Sequence, residues 1–126
     1  MYSLGPRSKQ RLKGVHSDLV RVVERAIEIT TVDFTVIEGL RSPERQKILL
    51  ETGASQTINS RHITGHAVDL GAWIEDEVRW DWPLYHKIAA AMKTAAKEVD
   101  VKIVCGADWK RFPDGPHFEL DRKAYP

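Results

Sequence analysis

The amino-acid sequence predicts an α+β domain in which helices flank a small, mostly antiparallel sheet. Two segments carry apolar residues at helical spacing, a third begins with a helix-start signal, and short runs rich in β-branched or apolar residues lie between and after them. Helices that come first and then lie between short strands are typical of this class. A chain of 126 residues can fold around one core without disulfides, and no repeat or linker divides it, so we expect a single domain over residues 1–126.

The N-terminal third predicts one helix and one strand. A basic segment over residues 7–13 comes first, and we expect it to form solvated surface. Apolar residues then recur at helical spacing and indicate a helix over roughly residues 17–30, which Ser17 or Asp18 could cap. Residues 33–38 are rich in β-branched side chains and predict a strand.

The middle of the chain predicts a helix, a loop and a second strand. Ser42 followed by proline is typical of a helix start, and this helix should end near Gly53. Residues 54–61 are polar and indicate a loop, whereas residues 68–73 predict a short strand.

The last third predicts a long helix and two short strands. The helix begins at Asp81, which precedes Trp-Pro, and continues at helical spacing to Val99. Residues 101–105 and 117–120 are the candidate strands. The single cysteine, Cys105, lies in an apolar run, so we expect a small buried side chain and not a reactive thiol.

Charge and hydropathy exclude several classes of partner. The chain has 19 basic and 18 acidic residues, a balance that provides no general attraction to nucleic acid. No apolar stretch approaches the roughly 20 residues that a membrane span requires, and the N-terminus lacks the pattern of a signal peptide. We therefore expect a monomeric protein that is made in the cytoplasm, without stable membrane insertion.

Two segments concentrate the residues that could perform chemistry. Ser60-Arg-His-Ile-Thr-Gly-His-Ala-Val-Asp69 contains His62 and Asp69, and Asp114-Gly-Pro-His-Phe-Glu119 contains His117. Two imidazoles and one carboxylate suit zinc and leave a fourth coordination position open for water, which is typical of a catalytic site. Asp114 lies three residues before the last of these ligands and is a candidate general base.

The spacing of His62 and Asp69 constrains their backbone. They are seven residues apart, which would place them on one face of a helix but on opposite faces of an unbroken strand. The β-branched residues between them argue against a helix, and Gly65 allows a bend. We therefore expect His62 on a turn or strand end and Asp69 on the following strand. Surface or capping roles remain the alternative for such a trio.

These two motifs resemble those of a known group of enzymes. Ser-x-His-x-x-Gly-x-Ala-x-Asp followed by Asp-x-Pro-His-Phe-Glu is similar to the zinc peptidases that share a fold with D-Ala-D-Ala metallopeptidases and the hedgehog signalling domain. Within that group, the chain most resembles the compact L-alanyl-D-glutamate endopeptidases that tailed phages use as endolysins. The similarity includes the segments Val15–Leu19, Glu38-Gly-Leu-Arg41-Ser and Gly106-Ala-Asp-Trp109.

The resemblance implies a role for each matched residue. It assigns one Zn²⁺ per chain to His62, Asp69 and His117, makes Asp114 the catalytic carboxylate, and places Arg41 opposite the substrate carbonyl. Residues with weaker assignments as substrate contacts or supports of the site are Ser60, Gln46, Trp109 and Glu119.

Several of these residues have alternatives. His66 could replace or assist His62, although a supporting or surface position is the simpler interpretation. Glu119 could orient a ligating histidine or lie on the opposite face of its strand. Trp109 is the tryptophan expected to line the cleft, while the other three are expected in the core or at its rim. His16 and His86 lie in helical segments and are expected to be structural.

The resemblance implies a peptidoglycan endopeptidase that cuts the L-alanyl-D-glutamate bond of the stem peptide during host lysis. Without a signal peptide or a separate wall-binding domain, it would depend on a holin-type protein to leave the cytoplasm for the cell wall. A D,D- or L,D-carboxypeptidase is the alternative within the same chemistry, but it should carry a further cationic group that the sequence does not assign. A zinc-stabilised module without catalysis is the alternative from another class.

Overall fold

The computed structural model describes residues 1–55, 57 and 59–126 and confirms the α+β class. The helices are α1 (Pro6–Arg11), α2 (Ser17–Ile29), α3 (Pro43–Glu51) and α4 (Trp82–Glu98). The strands are β1 (Phe34–Glu38), β2 (Ala67–Ile74), β3 (Glu77–Arg79), β4 (Ile103–Cys105) and β5 (His117–Leu120). A 3-10 turn, Gly106–Asp108, follows β4. Gln56 and Ile58, in the expected loop over residues 54–61, lie outside the described residues.

The five strands form one antiparallel sheet with β2 at its centre. The order is β1-β2-β5-β4, and β3 pairs with the end of β2. The register pairs Asp69 on β2 with His117 on β5, and Glu38 on β1 with the same Asp69. Three ionisable side chains from three neighbouring strands are thereby brought to one end of the sheet.

Helices α2 and α4 pack against each other and, with the sheet, enclose the core. The apolar face expected for each helix is the buried one, in α2 from Leu19 to Ile27 and in α4 from Tyr85 to Ala96. The Tyr85 hydroxyl donates to the Arg79 carbonyl at 2.6 Å and accepts from the Ala72 amide at 3.1 Å. A polar group on α4 thus fixes the helix against β2 and the residue that ends β3.

The expectation that residues 7–13 are only solvated surface is wrong in part. They include most of α1, which packs against β1 and buries Ser8, and Leu12 at the C-cap of this helix is also buried. The Ser8 hydroxyl accepts from the Val36 amide at 2.9 Å and lies 3.0 Å from the Thr35 hydroxyl. The buried contact of α1 with β1 is made by a polar residue, Ser8, which accepts a backbone hydrogen bond. The sequence of α1 therefore shows no apolar periodicity that would predict its burial.

Two further local features differ from expectation. The cap of α2 is His16, whose Nδ1 accepts from the Asp18 amide at 3.1 Å, and not the side chain of Ser17 or Asp18. The structural role expected for His16 is therefore confirmed. Strand β3 was not predicted, since it has only three residues and its turn uses Glu75 and Asp76 at positive φ, without the usual glycine.

In the part of the chain that the structure describes, no helix is long and apolar enough to cross a membrane.

Candidate metal centre

His62, Asp69 and His117 converge at one end of the sheet. One ligand atom from each lies within 4.8 Å of those of the other two. Asp69 Oδ1 is 3.2 Å from Nε2 of His62 and 3.4 Å from Nδ1 of His117. His62 lies on a turn and Asp69 on β2, as the spacing predicts. These three residues could hold a metal ion.

The turn between His62 and Asp69 depends on Gly65. Its φ is +76°, and a Cβ at this position would lie 2.5 Å from the Gly14 carbonyl oxygen. The Gly65 carbonyl also accepts from the His16 amide at 2.8 Å. Close approach to the segment before α2 therefore fixes the bend that turns His62 back towards the start of β2.

Hydrogen bonds behind the two histidines suit metal binding. Nδ1 of His62 lies 2.9 Å from the Gly39 carbonyl oxygen, and Nε2 of His117 lies 2.9 Å from Oε1 of Glu119. A carbonyl and a carboxylate can only accept, so both of these ring nitrogens carry hydrogen in the neutral imidazoles. The opposite nitrogens, which face Asp69, are then free as ligands. The donor set fits a zinc ion.

The same contacts shift the ionisation of the site. Burial opposes ionisation of Asp69, but hydrogen bonds from His117 and His62 outweigh it and hold the pKa of this carboxyl well below its usual range. Burial also opposes the charged form of His117, yet Asp69 and Glu119 raise its pKa to about 9. A metal ion at this site competes with that proton for Nδ1.

Arg41 lies directly behind the carboxylate of Asp69. Its side chain is 9% exposed, and one terminal nitrogen is 3.6 Å from Asp69 Oδ2. That nitrogen also donates to Glu38, while the other donates to the Gln46 side-chain oxygen at 2.7 Å. Within the described residues, the main partners of Arg41 are therefore parts of the site itself.

Gln46 extends this network to the segment that follows α3. It is fully buried, and its side-chain nitrogen donates to the Ser55 hydroxyl at 2.7 Å and to the Thr57 carbonyl. The buried amide links Arg41 to the backbone that lines the cleft. Gln46 thus supports the site from behind and does not line it.

The three potential ligands open into a cavity of about 740 Å³. Of the other residues singled out in the sequence, it is also lined by Arg41, Ser60, Trp109 and Asp114. Desolvation by the protein and the negative charge of Asp69 both raise the pKa of Asp114, which makes this carboxylate a stronger base. The Trp109 ring centroid is 5.0 Å from that of His117.

His66 does not belong to the group that could hold a metal. Its Nδ1 lies 2.7 Å from the Thr64 hydroxyl, and its ring is 5.7 Å from that of His16. Glu119, in contrast, lies on the same strand face as His117 and reaches its ring. The two alternatives left open for Glu119 are decided in favour of the orienting contact.

Other residues of the cavity wall were not singled out from the sequence. They are Glu38, Arg45, Leu49, Ala54, Ser55, Thr57, Arg111, Phe112 and Pro113. Glu38 precedes Gly-Leu-Arg41 in a segment that was recognised, so its proximity to Arg41 was accessible from the sequence. The others reach the site only through the packing of α3 and the path of residues 109–114.

The family model described as phage L-alanyl-D-glutamate peptidase matches residues 1–125. The chain belongs to this family. The L-alanyl-D-glutamate peptidase of Escherichia phage T5 is 31% identical over 128 residues, which cover 98% of this chain and 93% of the phage protein. The peptidase of the same name from Listeria phage A118 is 32% identical over 98 residues, which cover 78% of this chain but 34% of that protein. The chain is therefore a peptidase.

Several solved structures resemble the fold, and two of them are informative here. The crystal structure of the Serratia marcescens L-Ala D-Glu endopeptidase ChiX aligns with a TM-score of 0.92 and 47% identity, covering 96% of this chain and 91% of that one. The vancomycin-resistance D,D-dipeptidase VanXYg aligns with a TM-score of 0.57 and 21% identity, covering 84% of this chain and 50% of that one. The second likeness concerns the fold alone and agrees with the D,D-peptidase-like architecture implied by the sequence.

Proposed function

We propose that this peptidase is a zinc-dependent peptidoglycan endopeptidase that hydrolyses the bond between L-alanine and D-glutamate of the stem peptide. The observation that carries the proposal is the group of His62, Asp69 and His117, with the far nitrogen of each histidine held by an acceptor. Family membership over residues 1–125 supports the choice of bond.

His62, Asp69 and His117 are the zinc ligands in this proposal. A zinc ion, when bound, supplies Lewis acidity and lowers the pKa of a coordinated water to about 7. Gly39 and Glu119 hold the two imidazoles in the required tautomers, and Arg41 restrains the second oxygen of Asp69.

Asp114 is the general base of this mechanism. Its carboxylate opens into the same cavity as the zinc ligands. It accepts the proton of the water that attacks the alanyl carbonyl and returns the proton to the departing amine of D-glutamate. No serine or cysteine nucleophile is required, which is consistent with the burial of Cys105.

Arg41 has a second role in the proposal. Its side chain lines the cavity, and a guanidinium group has five N–H donors, of which Glu38 and Gln46 each accept one. One of its remaining donors then shares the negative charge that develops on the substrate carbonyl oxygen. Loss of one such donor typically lowers the rate about 100- to 1000-fold.

The biological role that we infer is that of a phage or prophage endolysin. The relatives from phages T5 and A118 support this context. The enzyme would accumulate in the host cytoplasm and reach the wall when a holin-type protein opens the membrane.

Digestion of purified Gram-negative peptidoglycan tests the proposal. Zinc-loaded protein should release peptides that begin with D-glutamate and leave L-alanine on the glycan, as measured by mass spectrometry. Asp114→Asn should lower this activity at least about 100-fold while zinc content stays unchanged. The matched control is Asp100→Asn, which alters an exposed aspartate outside the cavity wall.

Other products would contradict the proposal. Release of terminal D-alanine alone would show a carboxypeptidase. Zinc binding without any product would show a module without catalysis. Full activity in Asp114→Asn would remove Asp114 from the mechanism.

A further inference from the structure

Among the described residues, three arginines line the cavity, and one of them, Arg41, forms ion pairs with acidic residues of the site. Arg41 contacts the carboxylates of Glu38 and Asp69. For Arg45 and Arg111, the described residues provide no hydrogen bond or ion pair to the guanidinium group. Among the residues that the structure describes, these two positive charges of the cavity lining have no acidic partner.

The backbone of Arg45 is connected through neighbouring residues to Asp69, one of the proposed zinc ligands. Its amide donates to the Ser42 hydroxyl at 3.1 Å in the first turn of α3. The next residue, Gln46, is fully buried and bonds to Arg41, which contacts Asp69. The backbone of Arg45 is therefore held in place, while its exposed side chain can change conformation to contact a substrate.

The backbone of Arg111 is placed by the segment that carries Asp114. Phe112 has a φ of +51° and lies in a bend between Arg111 and Asp114, and the side chains of both of these residues line the cavity. The Asp114 amide donates to the Gly106 carbonyl at 2.9 Å and closes the segment on its far side. Arg111 and the proposed general base therefore line the same cavity from one short segment.

The proposed substrate carries a free carboxylate near the bond that is cut. A D-glutamyl residue has two carboxyl groups, and extension of the peptide uses one of them. The other remains a free carboxylate only a few bonds from the nitrogen that is released. Arginine pairs with carboxylates through two parallel hydrogen bonds, and such charge-assisted bonds are stronger than neutral ones.

We propose that Arg45 and Arg111 together bind the free carboxylate of the D-glutamyl residue on the leaving side of the scissile bond. This inference rests on the proposed function and adds the basis of its specificity. The two arginines are substrate-positioning residues, and they take no part in proton transfer.

A matched pair of peptides tests the inference. The first is N-acetyl-L-alanyl-D-glutamyl-L-lysine amide, linked through the side-chain carboxyl of glutamate, and the second has a carboxamide in place of the free carboxylate. We expect the zinc-loaded wild type to cleave the carboxylate peptide with a kcat/KM at least about tenfold higher. Arg45→Gln and Arg111→Gln should each lower kcat/KM for that peptide about tenfold, mainly through KM, with little change for the carboxamide.

The control variant is Lys47→Gln, which removes an exposed positive charge from α3 outside the cavity wall. It should leave both rates unchanged. A third peptide combines the carboxamide with a free C-terminal carboxylate. If the arginine variants respond to that terminal carboxylate instead, the inference is wrong and the arginines bind a chain end.

The outcomes separate this inference from the proposed function. Equal wild-type kcat/KM values for the first two peptides, an equal loss on both in the variants, or an effect of only one arginine overturns the paired site and leaves the endopeptidase intact. If walls are cut but neither peptide is, the same pair is compared as inhibitors of wall cleavage with the same criteria. Failure to cut both walls and peptides rejects the proposed function, and this inference with it.

Discussion

At the scale of single residues, the site is defined as much by the acceptors behind the histidines as by the histidines themselves. Gly39 offers a backbone carbonyl to His62, and Glu119 offers a carboxylate to His117. The backbone contact cannot be removed by substitution, but the side-chain contact can. Glu119 is therefore the residue at which the orienting effect can be measured.

Glu119→Gln keeps an oxygen that can accept from His117 but removes the negative charge. We expect zinc affinity to fall about tenfold or more, since partners of this kind commonly contribute 10- to 100-fold. Competition with a chelating dye measures the Kd. The control is Arg122→Gln, which removes the exposed partner of the other Glu119 oxygen. Equal affinity in Glu119→Gln and wild type would show that orientation alone, without charge, determines binding.

Cys105 provides a pH-dependent prediction. Burial on β4 raises the pKa of its thiol from 9.0 to about 11, with the negative charge of Asp108 adding to the effect and Lys93 opposing it. In the unfolded chain the thiol loses its proton near pH 9, whereas the folded chain keeps it, so unfolding releases a proton between pH 9 and 11. Stability attributable to this group is therefore complete below pH 9 and decreases by about 1.4 kcal/mol per pH unit above it.

The measurement is the free energy of unfolding in urea at pH 8, 9 and 10 for wild type and Cys105→Ala. The difference between the two proteins isolates the thiol from other groups that titrate in this range. We also expect the native thiol to react slowly with a disulfide reagent at pH 8 and rapidly in urea. Identical pH slopes in the two proteins would show that the thiol does not titrate differently on folding.

At the scale of secondary-structure elements, the 3-10 turn after β4 determines where Asp114 lies. Gly106, at its start, accepts from the Asp114 amide. A Cβ on Gly106 would lie 2.3 Å from the Asp114 carbonyl oxygen and 3.0 Å from the Cβ of His117. The turn therefore requires glycine because two site-bearing segments approach its backbone.

Gly106→Ala should displace Asp114 and His117 together. We expect a loss of about 1–3 kcal/mol in the free energy of unfolding, typical of overpacking, and a fall in both zinc affinity and kcat/KM of more than about tenfold. Gly5→Ala is the control, since a Cβ there has no neighbour within 4 Å. Normal activity and zinc affinity in Gly106→Ala would mean that the segment adapts without moving the site.

At the scale of the whole molecule, the proposed zinc joins parts of the chain that are distant in sequence. His62 lies on the turn after α3, Asp69 on β2 and His117 on β5. Arg41 and Gln46 extend the connection to α3 itself. An ion that binds only the folded arrangement stabilises all of these elements together.

Removal of the metal should therefore lower the melting temperature. At free zinc 100-fold above its Kd, the folded state gains about 2.7 kcal/mol, which corresponds to roughly 10 °C for a domain of this size. Calorimetry with zinc and with a chelator measures the shift. Asp114→Asn should keep the full shift and His117→Ala should lose it. An unchanged shift in His117→Ala would mean that the stabilising ion lies elsewhere.

Much of the local structure and the identity of the proposed ligands could be predicted without coordinates. The apolar faces of α2 and α4, the Ser42 cap of α3 and the bend at Gly65 depend on residues a few positions apart. The spacing of His62 and Asp69 around that bend also led to their correct placement on a turn and a strand. Interactions over such short distances depend on local sequence, so the same elements form wherever their apolar face is buried.

The contacts through which distant residues support or enlarge the site could not be predicted, because they form between elements. The pairing of Asp69 with His117, the orienting contact of Glu119 and the links from Gln46 to Arg41 depend on strand register and on how α3 packs. The burial of Ser8 on α1 also depends on packing between elements. The spacing of apolar residues predicts which face of an element is buried, but it does not predict which polar side chains contact one another between elements. Local sequence was therefore sufficient to predict most of the helices and strands and to propose the metal ligands, whereas α1, β3 and the contacts around the site follow from packing between elements.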